Sequence, residues 1–213
     1  MIVLAIDTAG TGCYAALYDS EQDAVLGAAG ADIGRGHAER LMEFVDAALD
    51  AAGVDIKAIG RISVTVGPGS FTGIRVGVAA ARGLALALGV PAVGVSTLSA
   101  LAADRPGPLL VAMDAKRDEV YWQRFAADGS QASPPSIATV AEARDLAAGH
   151  EGVITGSAAH LLRDGAQQEA DGVSIAIVAR LGAHLDPQDH QPKPLYLRGP
   201  DAKPQAGFAI RRA

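Results

Sequence analysis

The stretch Val66-Gly67-Pro68-Gly69-Ser70-Phe71-Thr72-Gly73-Ile74-Arg75-Val76-Gly77 joins a strand-like run, Arg61 to Val66, to a helical run of small and aliphatic residues that ends near Gly89. Gly67 and Gly69 permit backbone angles closed to other residues, and Ser70 or Thr72 can cap the free amides of the helix that follows. Two readings stand side by side: a well-capped strand-to-helix turn, or a helix N-terminus that holds an anion. It is not a Walker loop, because no Gly-Lys-Ser/Thr follows.

Upstream, residues 2–7 and 13–19 are apolar runs split by the small-residue turn Thr8-Ala9-Gly10-Thr11-Gly12, which reads as a hairpin, and residues 24–30 read as a third strand. From Gly36 the pattern becomes helical, with Leu41, Phe44, Val45, Ala48 and Ala52 recurring at three- and four-residue spacing until Gly53. Downstream, Pro91 to Val95 forms a short fifth strand. Three consecutive strands, then helix, strand, helix, strand, is the order of the ribonuclease-H-like half-domain shared by actin, hexokinase and Hsp70. At this level the analogy speaks of fold and not of function.

A helical segment near Ser96 to Ala103 leads into Asp104-Arg105-Pro106-Gly107-Pro108, which has the composition of a linker. The expectation is an α/β chain of two ribonuclease-H-like (actin-like ATPase, ASKHA) domains, 1–103 and 109–213, the second smaller and degenerate. The second half shows strand-like runs at Leu109 to Met113 and Val120 to Phe125, and helical patterns around Val140 to Ala148 and Ile175 to Leu185. It ends in a Pro-rich tail, 187–213, that carries most of the late basic residues from Lys193 to Arg212. Disorder of this tail and folding back onto the first domain are both open.

Composition narrows the function classes. Of 213 residues, 49% are hydrophobic but only 4% aromatic, so the core is built from Ala, Val, Leu and Ile. A net charge of -6 argues against gripping a polyanion unaided. Cys13, the single cysteine, rules out an internal disulfide and a thiolate zinc site. The chain enters Ile2-Val3-Leu4-Ala5-Ile6 without the basic and long apolar regions of a signal peptide, and a cytoplasmic home is expected. The window Val76 to Val95 is hydrophobic enough to suggest a membrane span, yet Arg82 and Pro91 interrupt it. It reads as a buried helix followed by a strand.

The 66–77 segment resembles the signature of the TsaB (YeaZ) family. Asp7-Thr8, His37, Gly94-Val95-Ser96-Thr97-Leu98, Met113-Asp114-Ala115-Lys116-Arg117-Asp118-Glu119-Val120-Tyr121-Trp122 and Tyr196-Leu197-Arg198 follow in family order. The signature loop is therefore Gly67, Pro68, Gly69, Ser70, Phe71, Thr72, Gly73 and Arg75. The resemblance implies a non-catalytic scaffold that pairs with its catalytic paralogue TsaD and with the ATPase TsaE. That assembly transfers a threonylcarbamoyl group to the adenosine beside the anticodon of tRNA. ATP is used by the complex, tRNA is met only through it, and the isolated chain needs no cofactor and self-associates.

The resemblance also implies a vestigial active site. TsaD-type enzymes hold a metal with two histidines one helical turn apart, whereas here His37 is followed one turn later by Leu41. No metal site is expected. Asp7 with Thr8, Gly10, Thr11 and Gly12 resembles the first phosphate hairpin of the kinase superfamily and is a vestigial nucleotide candidate. Thr155-Gly156-Ser157-Ala158-Ala159 is glycine-poor for the superfamily's second nucleotide segment. Asp114, Lys116, Arg117, Asp118 and Glu119 form either acid/base machinery or, more ordinarily, a solvated turn between two strands. A small-molecule kinase and a glycoprotease-like peptidase are the rival readings, although no Gly-x-Ser-x-Gly elbow, His-Glu-x-x-His helix or Cys/His pair appears.

Apolar faces point to a partner. Between Gly73 and Leu88 only Arg75 and Arg82 are charged, a pattern that calls for burial from two directions. Gly73, Gly77 and Ala81 recur every fourth residue and form a flat stripe on which another helix can pack. The expected interface runs along helices 36–52 and 73–88 and uses His37, Leu41, Phe44, Val45, Ile74, Gly77, Ala80 and Ala81. The bland alternative is that both helices pack only on each other and on their own sheet.

Overall fold

The structure of the protein, a computed structural model, describes residues 1–199. The last part of the expected basic tail, including Arg211 and Arg212, lies outside the described residues. The first sheet has five strands, β1 (Ile2–Asp7), β2 (Gly12–Asp19), β3 (Ala24–Asp32), β4 (Ile59–Gly67) and β5 (Ala92–Ser96), in the order β3-β2-β1-β4-β5. The first three strands form an antiparallel meander, and β4 and β5 run parallel to β1. This is the order expected from the sequence.

β1 reads as an unbroken apolar run because both of its faces are covered. Leu4 and Ile6 join the core with Leu41 and Val45 of α1 (His37–Ala52) and with Ile74 and Val78 of α2 (Phe71–Leu88). On the other face, Val3 and Ala5 meet Val178, Ala179 and Ala183 of α6 (Ile175–His184). Both large helices stop at left-handed glycines, Gly53 after α1 and Gly89 after α2. α2 starts at Phe71, two residues before the sequence pattern shows it, because the Ser70 side chain accepts the Gly73 amide as an N-cap.

The second sheet has four strands, β6 (Leu109–Lys116), β7 (Glu119–Phe125), β8 (Ser136–Thr139) and β9 (Val153–Thr155), in the order β8-β7-β6-β9. It repeats the meander and the first parallel strand of the other sheet. α4 (Val140–Ala148) and the short α5 (Ala159–Leu162) cover one face, and α3 (Thr97–Ala102), which ends the first half of the chain, packs against the other. β8 and β9 are absent from the sequence reading: at four and three residues they are too short for alternation to register.

Two expectations are corrected. First, the segment 109–213 is not one separate domain, because α6 returns to cover the first sheet. Arg61 of β4 donates to the carbonyls of Gly182, Ala183 and Leu185 at 3.0, 2.8 and 2.9 Å, and the Ser63 hydroxyl donates to Val178 at 2.7 Å. α2 is covered by its own sheet on one face, and its other face, for which the sequence calls for a second cover, is open in the single chain. Its inner face of Gly73, Ile74, Gly77, Val78, Ala81 and Ala85 is buried, while Phe71, Arg75, Ala79, Arg82, Gly83, Leu86 and Ala87 are exposed. By length and composition this helix could cross a membrane, and here it lies with one face on β4.

Second, the residues expected at a partner surface mostly face inward. His37, Leu41, Val45, Ile74, Gly77 and Ala81 are all buried, which leaves only Phe44 and Ala80 half-buried. The physical reason lies in the glycine stripe. A Cβ at Gly73 would run into the Thr8 carbonyl oxygen, and one at Gly77 into the Thr8 hydroxyl. The stripe is flat so that the β1–β2 turn of the same chain can lie on it, not so that another helix can.

Candidate functional site

The signature loop and the β1–β2 turn form one interlocked unit. The Ser70 amide donates to the Ala9 carbonyl at 2.6 Å, and the Thr8 hydroxyl donates to the Gly73 carbonyl at 2.7 Å. Gly69 lies so close to Ala9 that a side chain there would meet its carbonyl oxygen. At the start of α2 the Ser70 amide is thus taken up by Ala9 and the Gly73 amide by the Ser70 hydroxyl. Of the two readings of this turn, the capped turn is the one that the geometry favours.

Asp7 closes the floor of this unit. Its Oδ1 accepts the Thr65 hydroxyl at 2.6 Å and the Ala9 amide at 3.0 Å, and the residue is only 5% exposed. Burial pushes the Asp7 carboxyl above the usual carboxylate range, against the pull of Thr65, of Ala9 and of the nearby His37 charge. His37, at the first position of α1, brings its Nε2 to 3.2 Å from the Gly12 carbonyl and so ties α1 to the same turn. Cys13 is buried beside them, and burial with the Asp7 charge raises its thiol to about 11, which leaves it unreactive.

The other sheet carries the corresponding turn. Asp114 ends the apolar run of β6 as Asp7 ends that of β1, and its Oδ1 accepts the Lys116 amide at 2.7 Å. Here the carboxylate is paired with the Lys116 ammonium, which holds it below the usual carboxylate range. Lys116, Arg117 and Asp118 all have left-handed backbone angles, φ of 62°, 58° and 61°. For non-glycine residues this costs on the order of 1 kcal/mol each. The cluster is thus a tight, exposed hairpin turn in which Lys116 pairs with Asp114. Behind it, Ser157 donates its amide at 2.9 Å and its hydroxyl to Asp171, and accepts the Asp114 amide at 2.8 Å. Burial raises the Asp171 carboxyl, with these hydrogen bonds opposing. Among the described residues no group of three or more His, Cys, Asp or Glu could hold a metal.

A contact that the sequence does not reveal links these two turns. Residues 186–199 fold back across the ends of β4 and β5, with the Gly94 amide donating to His190 and the Leu195 amide to Val66, both at 2.8 Å. Tyr196 then packs against Phe71 at a centroid distance of 5.4 Å with the rings tilted by 40°, and Arg75 lies 3.7 Å over the Phe71 ring while its Nε donates to the Tyr196 hydroxyl at 2.8 Å. Arg198 continues to the β6–β7 hairpin, where it donates to the carbonyls of Ala115 and Lys116 at 3.0 and 3.2 Å and to the Glu119 carboxylate. Of the two fates open for the tail, its described part folds back. The signature residues Phe71 and Arg75 are therefore surface residues held by Tyr196, whereas Gly67, Gly69 and Gly73 serve close packing.

Residues 20–181 match the family described as TsaD: tRNA N6-adenosine threonylcarbamoyltransferase. An uncharacterized protein of Mycobacterium tuberculosis H37Rv is 36% identical over 206 residues, which cover 96% of this chain and 95% of that protein. The tRNA threonylcarbamoyladenosine biosynthesis protein TsaB of Escherichia coli K12 is 37% identical over 133 residues, or 60% of this chain and 56% of that protein. Among solved structures, YeaZ from Pseudomonas aeruginosa superposes with a TM-score of 0.73 at 26% identity, covering 92% of this chain and 99% of that one.

Proposed function

The chain belongs to the TsaB (YeaZ) family, with a part in tRNA threonylcarbamoyladenosine biosynthesis, and from that premise we propose that it is a non-catalytic pairing subunit. Its partner is the catalytic paralogue TsaD, with the ATPase TsaE joining the pair. ATP is consumed by that assembly in the cytoplasm, and tRNA is met only through it. The second half of the chain is read as a reduced copy of the first, which repeats its strand order but has given its last helix to the first sheet.

The observation that carries this reading is the outer face of α1 and α2. Leu86 is 86% exposed and Met42 on α1 43%, with Ala79, Gly83 and Ala87 beside them on α2. A leucine that open, on a helix of small residues, is the composition of a surface awaiting a partner. Its charges are divided: the exposed face of α2 carries Arg75 and Arg82, and that of α1 carries Glu39, Glu43, Asp46 and Asp50 beside Arg40. A second helix pair of the same kind, turned by a two-fold axis, sets acid against base. This supports pairing with a paralogue of like fold and self-association in its absence.

The filled turn supports the non-catalytic half of the reading. A nucleotide phosphate at Asp7-Gly12 would have to displace the Thr8 hydroxyl from the Gly73 carbonyl and the Ala9 carbonyl from the Ser70 amide. The test is reconstitution: TsaD and TsaE of the same organism, ATP, threonine, bicarbonate, the enzyme that makes threonylcarbamoyl-adenylate, and unmodified tRNA, with and without this chain. Modification is expected only when the chain is present, with no ATP turnover by the chain alone. Full modification without it, or ATP hydrolysis by the purified chain, contradicts the proposal.

A further inference from the structure

The β6–β7 hairpin holds three consecutive non-glycine residues, Lys116, Arg117 and Asp118, in the left-handed region, an arrangement that persists only where the surroundings enforce it. One enforcing contact is remote in sequence. Arg198 donates to the carbonyls of Ala115 and Lys116, the two peptide groups that lead into the strained tip, and pairs with Glu119 on its far side. Two residues earlier on the same strap, Tyr196 packs at a tilt against Phe71 and is hydrogen-bonded to Arg75, in the first two turns of α2. Leu195, the residue before Tyr196, anchors the strap through its amide to Val66 and its side chain against the first core. A single short segment thus bridges the signature loop on one sheet and a strained turn on the other.

We propose that residues 195–198 form a latch: Arg198 holds the hairpin tip in its left-handed form, and Tyr196 ties that form to the signature loop and the start of α2. The hairpin is the two-state element. Latched, its tip is fixed by the Nη2 group of Arg198; released, its three residues return to right-handed or extended backbone. An event that moves Phe71 or Arg75 reaches Arg198 through the strap and thereby reaches the second sheet. The signature-loop end of the latch is exposed, Phe71 by 56% and Tyr196 by 49%, and the hairpin end, Arg198 with Glu119, is half-buried, so neither end lies in a core.

Hydrogen exchange on the full chain tests this. Arg198→Ala is expected to raise exchange about tenfold in 114–120 and severalfold in 67–75, while the amides of β1 and β4 keep their protection. Tyr196→Ala should raise exchange at both places, with the larger change at 67–75. Arg198→Lys, which keeps a charge for Glu119 but lacks the planar guanidinium that reaches both carbonyls, should fall between wild type and alanine. In an Arg117→Asn/Asp118→Gly background, whose turn accepts left-handed angles, the effect of Arg198→Ala on the hairpin should shrink to about twofold. Unchanged hairpin exchange in Arg198→Ala overturns the latch, and a response confined to the hairpin overturns its link to the signature loop. An undiminished tenfold effect in the Asn-Gly background overturns the role assigned to strain.

Discussion

The two faces of α2 are nearly alike in composition and opposite in use. Gly73, Gly77 and Ala81 on the inner face and Ala79, Gly83 and Leu86 on the outer face are all small or aliphatic, yet the first set is buried and the second exposed. What separates them is the neighbour. The inner glycines lie where Thr8 approaches, so close that a Cβ at Gly73 or Gly77 has no room, whereas nothing lies within 4 Å of a Cβ built on Gly83. Small residues at four-residue spacing therefore mark a close approach without saying what approaches. In this chain it is the chain's own β1–β2 turn, and the surface left for a partner is the opposite face.

Substitutions can break this contrast. The largest effect is expected inside: Gly73→Ala should destabilise the chain by about 3 kcal/mol in chemical denaturation, because its new methyl meets a backbone oxygen that cannot turn aside. Gly77→Leu should do comparable damage to folding, where the sequence pattern alone would have it leave the monomer intact. Outside, Leu86→Asp should leave the denaturation midpoint within about 0.5 kcal/mol of wild type and weaken self-association at least about tenfold in light scattering. Gly83→Ala, also outside, should stabilise α2 by about 0.5 to 1 kcal/mol, since glycine in a helix is less favourable than alanine and the site is open. An equal cost at Gly73 and Gly83 would erase the distinction between the faces.

The smallest effects are expected in the pH dependence of the two aspartates, and they carry opposite signs. Burial raises Asp7, so its contribution is full below the usual carboxylate range and is lost as pH rises through the raised value. Thermal melts should show wild type losing ground to Asp7→Asn between pH 4 and pH 7. Lys116 lowers Asp114, whose contribution is present above the usual range and lost as pH falls. Because that pair is largely solvated, Asp114→Asn should cost no more than about 0.5 kcal/mol near neutral pH. A pH profile for Asp7→Asn that parallels wild type would show that its burial is relieved in solution.

Much of the fold was legible because its strands are strongly patterned. Ile2 to Asp7 is continuous and apolar since helices cover both faces, and Gly53 and Gly89 mark two helix ends by their left-handed angles. β8, β9 and α5 escaped because three or four residues carry no period. α6 was visible as a helix, but nothing in Ile175 to His184 says that it returns to the first sheet, since its partners Arg61 and Ser63 lie more than a hundred residues earlier. The signature loop was legible as a motif and its neighbour was not. Thr8 and Gly73 are 65 residues apart, and only the folded chain brings them together. The aromatic cluster of Phe71, Arg75 and Tyr196 has the same origin, because the strap that delivers Tyr196 reads in sequence only as a Pro-rich tail.

The central claim is that the outer face of α1 and α2 receives the partner. It is tested most directly by titrating wild type and the double variant Met42→Asp/Leu86→Asp against TsaD of the same organism, with tRNA modification measured on the same samples. The account predicts that the double variant melts like wild type, binds TsaD at least about a hundredfold more weakly, and loses modification in proportion. Wild-type affinity and modification from a double variant that carries two aspartates on that face would contradict it.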